Sequence, residues 1–544
     1  MGKNIANELV SLLGNDPFNQ QAWLVFGDKL QKQGDIRGEI ISLEIALADK
    51  KIERTSKIEG LLEEYYEDNI PDWLGSELYQ ATLDNKLSFK WDYGFLDTIT
   101  IEEPVDNELL ENLFTIDAAI PVTSLHITDE DVDEIPKSIK KLRYITELSF
   151  KDSYIGELND NHKQIFQTIK PTEVDLSNNG LEEFPEWFGK CKYINCLDLS
   201  DNPIESFPKS MEKLVNIEQL VLTSCDTSQF PEWIRKLKNL RSLNLDNCYI
   251  SNLPHWIGEL EELEHLILKD NSLSRLPESF ANLGNLTELN LDENQFSRLP
   301  LSIVHLKNLK TLELEDNNIV QLPESISNLR NLKILDLDNN ELNNLPNSFG
   351  QLKNIRELHL SDNGLKILPE SMKDLVDLTT LRISGNNLRW LPDWISTFTK
   401  LDTLAIGENN LSELPKWIGS FNKLKKLYAF SNSLSNLPDS MANLTELRKL
   451  NLGDNRFEDL PDWFRNFHKL KLLNLSNNIS NLTGDWIGEL EKLKELKLGN
   501  NQIDAIPIWF ENLKHLQYLD LGNNNITSVP TQICSLVNLE SLSL

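Results

Sequence analysis

The sequence predicts an α/β solenoid: short parallel strands stacked along one face, short helical turns along the other, and a small, mainly helical N-terminal cap before them. Three observations carry that reading. An apolar residue followed by proline recurs every 23 residues from Pro185 to Pro530, with Gly484 in the single missing slot. Asparagine or cysteine recurs at a second fixed slot, from Asn179 through Cys225 and Cys248 to Asn524. Ahead of that slot, leucines alternate with polar residues. Repetition at such a period marks units that bury their apolar faces only by stacking.

The period Leu309 to Asn331, LKTLELEDNNIVQLPESISNLRN, shows the elements in order. Leu312 and Leu314 alternate with Thr311, Glu313 and Glu315, the pattern of a strand with one buried face. Asn317 ends it, where a short amide can satisfy backbone groups freed by a bend. Pro323 follows Leu322 and reads as the first residue of a short helical turn, where its missing N–H costs little. Ile326, Leu329 and Leu332 then keep an apolar face toward the strand.

These residues resemble the leucine-rich repeat family in its 23-residue, intracellular Ras-group form, LxxLxLxxNxLxxLPxxIxxLxN. Cysteine at the asparagine slot is a substitute that the family accepts. Counting backward places Glu130 and Ser153 in the same slot, with a 26-residue step to Asn179, for about 18 repeats over residues 121–544. The resemblance implies a horseshoe with its strands on the concave face, and a protein-binding role without catalysis.

Residues 1–120 differ in character. Leu9, Leu12 and Leu13, then Trp23, Leu24, Phe26, Gly27 and Leu30, have helical spacing, and Asn15, Asp16 and Pro17 mark a break between them. Gly34 and Asp35 end the second helix, Arg37 to Leu47 forms a third, and DKKIERTSKIEGLLEEYYED continues as helix. The run DPFNQQAWLVFGDKLQKQGDIRGEIISLE is similar to the bacterial repeat-companion domain, and the likeness extends through Trp73, Leu74 and Gly75 to Gly94 and Phe95. Where that pattern has its first Arg and its Ala-Asp-Trp, this chain has Trp23 and Gly27, Asp28, Lys29. The resemblance implies a bacterial origin and association with repeats, not a reaction. Asp28, Asp35, Arg37 and Glu39 are expected to cap helix ends and pair with each other, Arg37 bridging to a carboxylate.

A net charge of −32 argues against nucleic acid and anionic membranes as partners, since both demand clustered cations. A protein partner with a basic surface fits better. Five cysteines form no even framework and read as thiols in a reducing compartment. The start MGKNIANELVSLLG lacks the apolar core of a secretory signal, no stretch approaches a membrane span, and Ala6 stands where a myristoylation signal needs Ser or Thr. The expected location is the cytoplasm.

No phosphate loop, HExxH or zinc-type cysteine pair occurs, and the histidines fall in different slots of the period. Neither catalytic residues nor a cofactor or metal site is expected, so the chain is read as a non-enzyme whose function lies on outward strand residues. One row contains Asp292, Glu315 and Asp338, a second contains Glu313, Asp336 and His359, and Asp316 stands in a third. Concentrated acid that folding does not require suits a basic partner; the competing reading is a solvated acidic face. His359 is expected at solvent or against a partner. At LYAFSN, Ala429 replaces an inward leucine, and Tyr428 and Phe430 face outward near Arg382 as binding anchors. Alternatively, Phe430 folds over the gap at Ala429.

Eight tryptophans from Trp187 to Trp509 stand two residues after the proline slot and are expected half-buried between neighbouring turns, their N–H near water. NISNLTGDW, with Gly484, should distort one turn. The strand ending at Leu544 should leave an open edge through which a homodimer can form. The function expected is a protein-recognition module or scaffold acting through the concave face. The alternative is the recognition arm of a larger signalling or effector assembly, such as a GTPase-signalling or ubiquitin-ligase-like system.

Overall fold

The computed structural model describes residues 2–14, 16–48, 56–103, 105–128, 136–225, 230–478, 485–528 and 531–544. They fall into two compact units, Met1–Ile250 and Ser251–Leu544.

In the first unit, α1 (Gly2–Leu13), α2 (Gln20–Gln33), α3 (Arg37–Ala48), α4 (Ser56–Leu74) and α5 (Ser76–Leu83) precede an antiparallel hairpin of β1 (Leu87–Asp92) and β2 (Phe95–Ile101). α1 to α4 follow the sequence pattern, and α5 is an addition to it. Asp16 and Pro17 separate α1 from α2, while Asn15 and residues 49–55 lie outside the described residues. Asn19 caps α2 by accepting from the Ala22 N–H, and Gly34 closes it at φ 76°. Leu9, Leu13, Trp23, Phe26, Leu30, Ile41 and Phe95 share one core. α2 and α3 cross closely at Gly38, where a Cβ would fall 2.6 Å from the Gln31 nitrogen.

The turn between those helices is built around Arg37. Asp35 accepts from the Arg37 N–H at 3.1 Å and from Nη2 at 2.5 Å. Burial pushes the Asp35 carboxyl up, but the hydrogen-bonded guanidinium outweighs it and holds the group below its usual range. The guanidinium also lies 4.8 Å from the Phe95 ring centroid and 5.9 Å from that of Trp73, within cation–π reach. A Cβ on Gly94 would fall 2.7 Å from Arg37 Cγ. The DIRGE turn, Trp73 and the Gly94–Phe95 step, distant in sequence, therefore meet at one side chain, and the expected Arg37 bridge is present.

β2 continues into a parallel ladder by pairing with the strand Ser124–Ile127, Ile99 opposite Leu125. Further three-residue strands follow to Ser242–Asn244. The 26-residue step holds an α-helix, Asp160–Ile169, capped by Asn159. Ser153 occupies the ladder slot as expected: it is fully buried, and its hydroxyl donates to the Ile127 carbonyl at 2.5 Å. Glu130 lies outside the described residues.

The second unit repeats this plan from His265–Ile267 to Ser541–Ser543, with parallel strands in register at the 23-residue offset, as Leu312 opposite Leu335. Leu312, Leu314, Ile326, Leu329 and Leu332 are fully buried. Asn317 Nδ2 donates to the carbonyls of Leu291, Leu314 and Glu315, while its Oδ1 accepts the Phe296 N–H at 3.0 Å. Such bonds satisfy backbone groups that the bend would otherwise strand in the core. In the first unit, Cys225 and Cys248 reach the equivalent carbonyl with Sγ, at 3.2 and 2.9 Å.

A second asparagine series lies before the strands. Asn285, Asn308, Asn331 and Asn354 each donate Nδ2 to a carbonyl 24 residues earlier, at 2.7–3.0 Å. Each strand in this stretch thus has side-chain amides bonding across repeats near both ends.

The helical turns are short 3₁₀ segments such as Glu324–Asn328. Pro323 is not their first residue, as expected from sequence, but the residue before it. At φ −74° and ψ 151° it is extended, and its carbonyl accepts the first turn bond from the Ile326 N–H at 3.0 Å. Tryptophans pack between these turns: Trp486 is 1% exposed, and a Cβ on Gly488 would meet Trp509 Cβ at 2.8 Å. The indoles of Trp417 and Trp463 donate to Asp393 and Asp439 on the preceding turn, at 3.1 and 3.3 Å, rather than only to water. Residues 479–484, where a distortion was expected, and Pro530 lie outside the described residues. No helix among the described residues is long and apolar enough to cross a membrane.

Candidate functional site

The outward strand positions of the second unit are set by pairing register. Asn290, Glu313, Asp336, His359, Arg382, Ala405 and Tyr428 stand side by side on successive strands. Two residues further along the same strands come Asp292, Glu315, Asp338, Ser361, Ser384, Gly407 and Phe430. Nine of the ten residues that the sequence singled out stand in these two rows; Asp316 stands just beyond them.

The acidic part is more ordered than a solvated face. Asp292 is 7% exposed, and its Oδ1 accepts the Glu315 N–H at 2.7 Å. Asn290 Nδ2 bridges it to Glu313, at 3.1 Å from Asp292 Oδ2 and 2.5 Å from Glu313 Oε2. Burial, joined by the charges of Glu313 and Asp336, pushes the Asp292 carboxyl up to about 7. Burial and like charge raise Glu313, Glu315 and Asp338 as well. Asp338 accepts the Ser361 N–H, and Asp336 Oδ1 accepts the Asp338 N–H at 2.9 Å. Folding has packed carboxylates beside carboxylates at a cost to their ionised forms.

His359 corrects the sequence expectation. It is 8% exposed rather than solvated, because its Nδ1 folds back to 2.6 Å from Asp336 Oδ2. Burial alone would raise Asp336, but that hydrogen bond, a backbone donor and the nearby charges of His359 and Arg382 hold it below its usual value. Ligand atoms of Asp336, Asp338 and His359 lie within 4.8 Å of one another, a set chemically able to hold a divalent cation. By sequence, Asp336 and His359 fall in one row and Asp338 in the next, but no metal site was expected among them.

Beyond His359 the face changes. Arg382 is exposed, Ala405 is small and buried, and Tyr428 is half-buried on the far side of Ala405. The Arg382 charge reaches the Tyr428 phenol, although burial dominates and raises that group. Ala429 is fully buried. The Phe430 ring sits against Gly407 of the preceding strand, where a Cβ would fall 2.6 Å from Cε1. Neither Ala405 nor Gly407 was singled out from the sequence; Ala405 stands between Arg382 and Tyr428 in its row, whereas glycine recurs in the Gly407 slot at Gly453, Gly499 and Gly522 and so gave no distinct signal. Asp316 has φ 54° and accepts from Asn339 Nδ2, so its backbone and its neighbour account for it locally.

This architecture has relatives. The family described as "Leucine-rich repeat region" matches residues 234–313 and 349–462, and further leucine-rich repeat families match 170–191, 308–329, 331–352, 445–503 and 491–533. A leucine-rich repeat protein of Leptospira interrogans is similar at 33% identity and TM-score 0.57, over 64% of this chain and 95% of that one. A TDR receptor is similar at 28% identity and TM-score 0.59, over 73% of each chain. The functional domain of InlJ from Listeria monocytogenes shares the fold at 23% identity and TM-score 0.54, over 65% of this chain and 73% of that one. A search of curated proteins finds no match. The chain belongs to the leucine-rich repeat proteins, and its fold is an α/β leucine-rich-repeat solenoid.

Proposed function

We propose that this chain is a non-enzymatic recognition module or scaffold that binds a protein partner with a basic surface through the strand face of residues 251–544. The observation that carries the reading is the group Asp292, Glu313, Glu315 and Asp338, carboxylates whose burial and mutual repulsion raise their proton affinity. A cationic partner would relieve that repulsion, with Asp316, Asp336, His359, Arg382, Tyr428 and Phe430 along the same face.

We place the protein in a bacterial cytoplasm, with 23-residue Ras-group-type repeats over residues 121–544 and a repeat-companion cap over 1–120. Support comes from the Leptospira relative and from the meeting of Asp35, Arg37, Trp73 and Phe95. A homodimer through the strand Ser541–Ser543, which pairs with Tyr518–Asp520, belongs to the same proposal. The likeness to a TDR receptor favours a second reading, the recognition arm of a larger signalling or effector assembly.

The test is affinity capture from native lysate with the intact chain beside a Glu313→Gln, Glu315→Lys variant, with equal melting temperatures as the folding control. A partner lost only by the variant supports the acidic strand face. Equal capture by both rejects it. Asp292 and Asp338 are left in place because both accept backbone hydrogen bonds.

A further inference from the structure

The residue immediately before each strand of the second unit has its backbone fully used. The Arg448 carbonyl accepts the N–H groups of Lys471 and Leu472 at 2.8 and 3.1 Å, and the Lys471 carbonyl accepts those of Lys494 and Glu495 at 2.9 and 3.0 Å. These are main-chain bonds, which leave the side chain free to be anything soluble. Yet of the twelve such positions from Glu264 to Gln517, seven are basic: Lys310, Lys333, Arg356, Lys425, Arg448, Lys471 and Lys494. With 53 Lys and Arg among 544 residues, about one would be expected.

The other end of the strands shows the reverse. Asp270, Glu293, Asp316, Asn339, Asp362 and Asp454 hold positive φ there, between 49° and 54°. Asn and Asp tolerate that left-handed conformation better than other residues with a β-carbon. The acidic rim therefore has a local cause, and the basic rim has none in the backbone.

The cations are densest from Lys425 to Lys494. Four successive strands at about 4.8 Å spacing put four positive charges along roughly 15 Å. Lys426 and Lys449 add two more at the next position along their strands. Lys425 pairs with Asp402 at 2.6 Å, but Arg448, Lys471, Lys494, Lys426 and Lys449 make no ion pair among the described residues, and all five are exposed. A groove of about 500 Å³ adjoins the row; Lys400, Lys423 and Lys425 line it together with Asp402, which pairs with Lys425, and Glu446, which pairs with Lys469. Like charges held in line are an electrostatic cost unless an anion lies across them.

We propose that this rim is a second interaction surface, separate from the acidic strand face, and that it takes an acidic polypeptide segment. A short run of carboxylates can span the row without meeting the rest of the chain. A long polyanion such as nucleic acid would also run across a protein of net charge −32.

The experiment is fluorescence anisotropy of a labelled poly-glutamate peptide of about fifteen residues, titrated with the full chain at low and at high salt. The peptide binds at low salt and weakens as salt rises. Binding falls about tenfold or more in an Arg448→Gln, Lys471→Gln, Lys494→Gln variant, and stays unchanged in the Glu313→Gln, Glu315→Lys variant of the strand face. Because the three substituted side chains are exposed, the variant keeps the wild-type melting temperature. No binding by the wild type, or equal binding by the rim variant, overturns the proposal. So does tighter binding of a single-stranded oligothymidylate that the same variant loses, which would make the rim a nucleic-acid surface. Loss of capture by the strand-face variant in the lysate experiment bears only on the acidic face.

Discussion

Phe430 occupies the space that a side chain on Gly407 would fill, its Cε1 2.6 Å from the position of that missing β-carbon. The two residues lie on neighbouring strands, so glycine at one allows the aromatic at the other to lie down on the sheet. Gly407→Ala should push the ring off its seat and cost roughly 1–3 kcal/mol by overpacking. Combining it with Phe430→Ala should cost clearly less than the sum of the two single changes. Urea denaturation of the four proteins in this cycle gives the coupling, and strict additivity would show that the ring has another seat.

Asn317 makes three donor bonds and accepts one inside the core. Asn317→Ala takes this partner from the Leu291 and Leu314 carbonyls and the Phe296 N–H, while the Glu315 carbonyl keeps the Glu293 N–H at 2.8 Å, and should destabilise the second unit by about 2 kcal/mol or more. Asn317→Cys should cost less, because Cys225 and Cys248 already serve the same slot with one sulfur contact to the distant carbonyl. Calorimetric melts should therefore rank asparagine above cysteine above alanine; cysteine no better than alanine would mean that the thiol bond contributes nothing.

Glu44 accepts from the Tyr66 hydroxyl at 2.8 Å and from the Tyr93 N–H at 2.5 Å. Burial, aided by the neighbouring Asp92 carboxylate, pushes its own carboxyl from 4.5 up to about 7. A folded-state value above the unfolded one contributes stability that is complete below pH 4.5 and is lost as pH rises through 7. Glu44→Gln removes this slope, so the variant should exceed the wild type at pH 8 by roughly 1–3 kcal/mol and not at pH 4. Scanning calorimetry at the two pH values decides; parallel pH profiles would refute the assignment.

Asp292 has the same sign in the second unit, raised from 3.8 to about 7. Asp292→Asn keeps an oxygen for the Glu315 N–H and removes the charge beside Glu313. Its stability should match the wild type near pH 4 and exceed it by roughly 1–3 kcal/mol at pH 8. The same variant should bind the basic partner less well, because a charge that strains the free protein is one that a cation relieves. Higher stability without weaker capture would separate Asp292 from recognition.

The second unit was legible in the sequence wherever the period imposes a choice. Leucine alternation fixed which strand residues face inward, and the Asn317 slot announced its own bonding. What the period does not encode is how outward side chains treat one another. His359 reads as exposed by its slot, yet Asp336 one strand away draws it down; the depth of Phe430 depends on the absence of a side chain at Gly407. Pro323 was placed one residue too far into its turn because a fixed φ suits both positions, and only ψ separates them. In the first unit, helical spacing and the breaks at Pro17 and Gly34 match α1, α2 and α3, whereas α5 and the helices Asn107–Leu113 and Asp160–Ile169 have no counterpart in the sequence analysis. Nor has the hairpin Leu87–Ile101, since Gly94 and Phe95 enter there only through the family likeness.

The paired asparagine series before and after each strand make the 23-residue unit interchangeable along Asn285 to Asn354. Removing or duplicating any 23 consecutive residues in that stretch rejoins equivalent positions, so every amide again finds a carbonyl 24 or 26 residues behind it. A cut of 22 or 24 residues finds none. Reach along a partner can thus be lengthened or shortened in whole steps by recombination within the gene, while the two charged rims stay in line on either side.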